Sequence, residues 1–266
     1  MIGGALAWLW LGIILLPIYY MVITSLRTTG DYYESNSLVP SSNPTLSAFK
    51  DVLDNDFDHY LLNSVIVTAG AVAILLVVSV MAAYTVVRNR SWASRRVFQL
   101  ILLGLAIPAQ ATIVPLYYMI TKLGLYDTLI ALILPSVGFG IPLTVLILTN
   151  FIRDIPRELF ESMTVDGAGH WRMLYRLVLP LAKPAIVTVG IYQALQVWNG
   201  FLFPLVLTGS ANVRVLPYSL FAFQGEHGVN TPAILASVVL SALPVLAAYM
   251  IGRRQLVAGL TAGFGK

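Results

Sequence analysis

Six stretches of this chain contain no Asp, Glu, Lys or Arg: residues 1–26, 59–87, 97–121, 128–152, 184–213 and 227–252, each at least 25 residues long. A helix rises about 1.5 Å per residue and the hydrocarbon layer is about 30 Å thick, so roughly 20 residues suffice to cross it. The windows predict six membrane spans, at about 2–26, 61–87, 97–121, 128–151, 184–207 and 229–252. Backbone amides in lipid have to pair within their own element, and continuous apolarity rather than alternation selects helices over a barrel. A single window would fit the buried helix of a soluble protein equally well. Six in 266 residues, with 58% hydrophobic and 11% charged residues, leave too little polar surface to cover them. The first window lacks a basic start and is too long for a signal peptide, so it is expected to remain as a span. The reading is an all-α membrane protein with one transmembrane domain over residues 1–266.

Cations set the orientation. Arg88, Arg90, Arg95, Arg96, Arg153, Arg157, Arg172, Arg176, Lys183, Arg253, Arg254 and Lys266 fall on one side, and only Arg27, Lys50, Lys122 and Arg214 on the other. By the positive-inside rule the first side is cytoplasmic, which predicts a multi-pass protein of the cell (plasma or inner) membrane with both termini inside. External loops then cover 27–60 and 208–228, and a cytoplasmic loop covers 153–181.

The formal charge of +4 follows this topology and, with no basic face interleaved with aromatics, gives no sign of nucleic acid. With no cysteine there is neither a disulfide nor a thiolate metal site. His59, His170 and His227 have no partner at ligand spacing and read as polar loop residues, so no metal or cofactor is expected in this chain. An ion-coupled pump keeps charged groups inside the membrane despite their cost, and no window holds Asp, Glu, Lys or Arg. Na⁺ coupling through carbonyls and hydroxyls leaves an ion-gradient-driven secondary transporter as the alternative. Hydrolase motifs and paired intramembrane carboxylates are missing, so the chain does not read as an enzyme. The ending Gly259-Leu-Thr-Ala-Gly-Phe-Gly-Lys266 has the wrong glycine spacing for a phosphate loop and reads as a tail.

The segment from Glu161 to Pro180 is polar and lies between two long charge-free windows. Asp154 or Ile155 is placed at a helix cap, with Pro156 in the first turn and Glu158 and Glu161 near the positive helix end. Leu159, Phe160 and Met163 form an apolar stripe, and Asp166-Gly167 supplies a stop in which Gly167 takes positive φ. A second helix is expected from about Gly169 to Leu179, broken by Pro180. On physics alone this is either an interfacial helix-turn-helix against lipid headgroups or a handle for a soluble partner.

Glu161-Ser162-Met163, three residues, Gly167, nine residues and Leu177-Val-Leu179-Pro180 match the spacing of Glu-Ala-Ala, Gly and Ile-x-Leu-Pro. The segment resembles the EAA loop of membrane subunits in binding-protein-dependent ABC importers. Pro17, Thr24-Ser-Leu-Arg27, Leu62-Asn-Ser64, Ala82-Ala-Tyr84, Trp198-Asn199, Phe203-Pro-Leu-Val-Leu-Thr208 and Val257-Ala-Gly-Leu-Thr-Ala-Gly263 extend the likeness along the chain. Together they are similar to the shorter, maltose-type (MalG-like) permeases of the carbohydrate-uptake group. The resemblance implies a MetI-like ABC permease fold with a cytoplasmic coupling helix. Glu161, Ser162, Met163, Asp166, Gly167, Ala168, Leu179 and Pro180 would then couple the chain to an ATPase. It also implies a second, similar permease subunit, two ATP-binding subunits that hold ATP and Mg, and an external sugar-binding lipoprotein or periplasmic protein. Ser162 and Met163 depart from the family's two alanines, and Phe264-Gly265-Lys266 departs from its usual ending.

A sugar pathway calls for aromatic faces and neutral amides. The fifth window supplies Tyr192, Gln193, Gln196, Trp198 and Asn199. These residues fit a translocation pathway and fit helix-helix glue with an interfacial aromatic equally well. Outside, residues 27–58 hold six acids, and Asn43–Leu53 reads as a capped amphipathic helix. In the 208–228 loop, which the resemblance places against the sugar-loaded binding protein, Gly225 would permit bending together with Gly228.

Overall fold

A computed structural model describes residues 2–89, 91–225 and 228–264, with the backbone alone described from 251 onward. Arg90 and Lys266, counted above for orientation, and His227 lie outside the described residues. The described chain is helical apart from one two-residue hairpin, and it falls into two compact units, Met1–Asn63 with Arg214–Ala248 and Ser64–Val213 with Tyr249–Lys266. Five helices are long and apolar enough to cross a membrane, or six if one sharply bent pair counts as a single span.

The first unit begins with α1 (Ile2–Ser25), whose large side chains stay exposed, as suits a helix that faces lipid or another subunit. Two short helices follow, α2 (Thr29–Glu34) and α3 (Ser47–Leu53). Arg27, just before α2, is buried to 1% exposure. It donates to Ser35 Oγ at 2.6 Å, to the Asn36 carbonyl at 2.9 Å and to the Val39 carbonyl, and it pairs with Asp31 at 3.8 Å. A buried cation is tolerated only when so satisfied, and here it gathers the chain from 27 to 39 around one guanidinium. Tyr33 Oη donates to the Val229 carbonyl at 3.0 Å, which ties α2 to the hairpin of β1 (Gln224–Gly225) and β2 (Gly228–Val229). Gly225 and Gly228 pair across that hairpin. Helix α3 starts at Ser47, not at Asn43 as the sequence suggested. The Thr45 N–H is taken by the Leu26 carbonyl at 2.8 Å, and Pro44 disfavours helical backbone at Asn43.

The second unit holds most of α4 (Phe57–Arg88), then α5 (Trp92–Leu103), α6 (Ile113–Lys122) and α7 (Ile130–Arg153). Small residues set the approach of α4 to α7. A Cβ on Gly70 would stand 3.1 Å from Ile133, and one on Gly140 would stand 2.7 Å from Leu75. The window at 97–121 is not one straight helix, because Trp92–Ala106 and Ala109–Lys122 meet at 94°. Ile107 (φ −92°, ψ 110°) and Pro108 (φ −70°, ψ 131°) are extended, and Pro108 has no N–H to continue the ladder.

Helix α8 (Arg157–Val165) follows α7. Then α9 (His170–Met173), a π-helical turn (Leu174–Val178) and α10 (Leu179–Trp198) run as one 29-residue helix. The fifth window therefore starts its helix upstream of 184 and stops at Trp198 rather than 207. Asn199 and Gly200 end it, and α11 (Leu202–Leu207) begins anew. Helix α12 (Leu216–Ser219) lies in the first unit, and α13 (Thr231–Phe264) runs from the first unit into the second. Its helical backbone reaches Phe264, so much of the expected tail continues the sixth helix, while Gly265 and Lys266 lie outside the described residues.

Candidate functional site

The Glu161 segment folds as a short helix with a defined start and stop. The start is at Pro156 (φ −54°, ψ 136°), one or two residues later than the sequence suggested. Asp154 and Ile155 still donate to Phe151 and Ile152, both at 3.3 Å, and so belong to the end of α7. The stop is at Gly167, whose φ is +73°. The Ala168 N–H reaches back to the Met163 carbonyl at 2.9 Å and the Gly167 N–H to Thr164 at 3.0 Å, the paired bonds of a Schellman cap.

This cap orients two faces. Phe160 (3% exposed) and Ala168 are buried among Tyr84, Leu148, Ile152, Met173, Leu174 and Val178, with Met163 packed at the edge. Arg88 lies over the Phe160 ring at 4.9 Å. Glu161, Ser162, Asp166 and Gly167 are exposed, and Val165 reaches 88% exposure at the tip. Leu159 turns outward, so the buried stripe is Phe160 and Met163 alone. The result is a rigid polar knob with one exposed valine, anchored from behind by an aromatic ring.

Pro180 does not break the following helix. The Leu179 N–H bonds the Leu174 carbonyl, five residues back. The wider π turn makes room for the proline ring over the preceding carbonyls, so the helix continues through Leu179 and Pro180 into α10. On this stretch Trp171 stacks on Tyr175 with ring centres 6.4 Å apart, both exposed, and His170 Nδ1 lies 3.2 Å from Tyr84 Oη. His170, read as a plain loop residue, thus sits at a helix start against a buried tyrosine.

The pathway candidates separate by face. Gln193 is buried and donates to Thr144 Oγ1 at 3.0 Å and to the Gly140 carbonyl at 3.4 Å, so it glues α10 to α7. Tyr192, Gln196 and Asn199, spaced four and three residues apart, line one exposed side of the helix end. Asn199 also returns a bond to the Leu195 carbonyl at 2.9 Å, while Trp198 is half-buried.

Sequence reasoning passed over Asp127. It adopts φ +60°, and its carboxylate accepts the N–H groups of Gly209 at 2.8 Å and Ser210 at 3.0 Å. The Ser210 N–H first and the Gly209 N–H second hold its carboxyl below the usual carboxylate range. The partners lie about 80 residues away, and no local pattern announces them. Among the described residues no group of His, Asp and Glu is placed to hold a metal ion.

Comparison with known proteins places this geometry among relatives. Residues 75–257 match the family model described as binding-protein-dependent transport system inner membrane component. The ORF2 protein of Caldicellulosiruptor sp., named for the ABC transporter permeases, is 40% identical over 93% of this chain and 90% of its own length. The diacetylchitobiose uptake system permease protein NgcG of Streptomyces coelicolor is 31% identical over 98% of this chain and 87% of its own. A solved bacterial ABC transporter involved in importing the acidic polysaccharide alginate superposes with a TM-score of 0.81 at 23% identity, over 95% of this chain and 96% of that one.

Proposed function

This chain belongs to the family of binding-protein-dependent transport system inner membrane components, and on that premise we propose that it carries a sugar, an oligosaccharide or disaccharide, through an ATP-driven importer. It works as one half of a membrane pair with a second, similar permease. Two ATP-binding subunits supply ATP and Mg chemistry from the cytoplasm, and an external sugar-binding lipoprotein or periplasmic protein delivers the substrate. Both termini face the cytoplasm, as the cation distribution supports. No residue here performs chemistry.

The observation that carries the reading is the α8 knob. An element whose task is to transmit force needs a stiff base and a partner-sized exposed tip, and α8 has Phe160 packed into the core and Glu161, Val165 and Asp166 outside. ATP-driven closure of the soluble subunits draws the two coupling helices together and opens the pathway outward, and hydrolysis resets it. Leu179 and Pro180 lie on the same continuous helix as Tyr192 and Gln196, with Asn199 at its cap, and Phe160 of the knob shares a core with Met173 and Leu174 at the start of that helix, so movement at the knob passes along it to the exposed polar face. Support for a sugar comes from the diacetylchitobiose permease relative and from the neutral amide and aromatic character of that face.

The test is uptake into proteoliposomes holding the four-subunit assembly, with binding protein outside and labelled disaccharides offered in turn. Uptake is expected only with internal ATP, and Glu161→Lys combined with Gly167→Val abolishes it or the assembly. Uptake driven by an ion gradient without nucleotide, or full activity and assembly of the double variant, would overturn the proposal.

A further inference from the structure

Beside α8 lies a cavity of about 670 Å³ lined by Arg88, Arg95, Arg153 and Arg157, with Glu161 the one carboxylate in its wall. That volume falls within the roughly 300–1,000 Å³ range of small-ligand sites. Four arginines around one space form a positive field that an anion among them would neutralise. Among the described residues none of the four forms an ion pair with a carboxylate. Two are held instead by aromatic rings, Arg88 over Phe160 at 4.9 Å and Arg153 over Phe98 at 5.4 Å. Stacking fixes the plane of a guanidinium while leaving its N–H edge for an acceptor. Arg88 Nε is buried with no hydrogen-bond partner.

The chemistry that fits is phosphate, whose several oxygens match a cluster of arginine forks. Its source follows from the position of the cavity. Helix α4 ends at Arg88 and α7 at Arg153, each a span with its basic residue in the last turn, so the cavity lies at headgroup depth. Val87 and Phe98 add apolar wall beside the arginines, which suits an amphiphile better than a free ion. We propose that this cavity binds the phosphate of an anionic phospholipid headgroup, placing membrane lipid against the back of the Phe160-Glu161 segment. The proposal stands apart from the substrate assignment and depends on no partner.

Retention of lipid by the full chain purified in detergent, read by native mass spectrometry after exchange into phosphatidylglycerol or phosphatidylcholine, tests it. The chain is expected to retain phosphatidylglycerol and not phosphatidylcholine. Each basic residue at a lipid surface contributes about a fivefold effect, so Arg95→Gln with Arg157→Gln lowers retention about 25-fold. Arg172→Gln with Arg176→Gln, which removes equal charge from residues that do not line the cavity, leaves it unchanged. Equal loss in the two double variants would show diffuse surface charge and overturn the site. Equal retention of phosphatidylcholine, or complete displacement by inorganic phosphate, would overturn the lipid assignment. If the double variant fails to fold, Arg95→Gln alone, at an exposed position on α5, carries the test with an expected fivefold loss, and no loss overturns the proposal.

Discussion

Substituting Gly167 separates backbone strain from crowding at the end of α8. A Cβ built there meets nothing within 4 Å, so any side chain has room, and the whole cost comes from φ +73°. For an ordinary L-residue the left-handed region costs roughly 1–2 kcal/mol, least for asparagine and most for β-branched side chains. At about 1.4 kcal/mol per tenfold, Gly167→Ala should open the cap about fivefold more often and Gly167→Val about 25-fold, with Gly167→Asn the mildest of the three. The local readout is exchange of the Ala168 amide, whose bond to Met163 at 2.9 Å exists only while the cap is closed. ATP-dependent uptake should fall in the same order, because the exposed tip loses its fixed direction as the cap frays. Alanine is smaller than asparagine, so a crowding effect would reverse their order. Ala168 exchange at least as slow in Gly167→Ala as in Gly167→Asn would refute the argument.

Three further outcomes are expected. Gln193→Leu breaks the bond to Thr144 and should lower thermal stability by about 1 kcal/mol with substrate preference intact, whereas exposed Gln196→Ala should leave the melting temperature alone and reduce uptake. Gly104→Ala drives a Cβ to 2.7 Å from the rigid Pro142 ring and should destabilise by about 1–3 kcal/mol, while Gly138→Ala, with nothing within 4 Å, should be neutral in the same melt. Asp127 has a lowered folded pKa, so its support of the Gly209-Ser210 turn is complete above the ordinary carboxylate pKa. That support is lost as pH falls through the depressed value, and amide exchange at Ser210 should speed up across that acid window. The group is only partly buried, so the effect stays below about 1 kcal/mol, and Asp127→Asn should flatten the pH dependence.

The segment from Glu161 to Pro180 was legible because its signals are local. A glycine that must take positive φ, a polar run between apolar windows and a fixed spacing to Leu179-Pro180 all lie within one stretch of chain. The sequence misplaced the cap and the effect of Pro180, since both depend on backbone bonds made beyond the residue itself. The Ile155 N–H is still held by α7, and Leu179 shifts its bond by one residue into a π turn. Pro108 shows the opposite case, where a proline in an apolar window bends the third segment by 94°. Composition cannot distinguish the two, because whether a proline ends a helix depends on how the freed carbonyls are satisfied.

Composition alone determined that this chain is helical in a membrane. That follows from the cost of unpaired amides and charges in hydrocarbon, which acts on every residue wherever its neighbours lie. Tertiary structure decided which side of a helix each polar residue faces. It turned Gln193 inward to Thr144 and left Gln196 outside, and it joined Asp127 to a turn far along the chain. It also gathered Arg88, Arg95, Arg153 and Arg157, four residues that the sequence offered only as topology markers, around one cavity. Directional bonds and shared cavities depend on through-space distances set by helix rotation and packing, which spacing along one strand of chain does not specify.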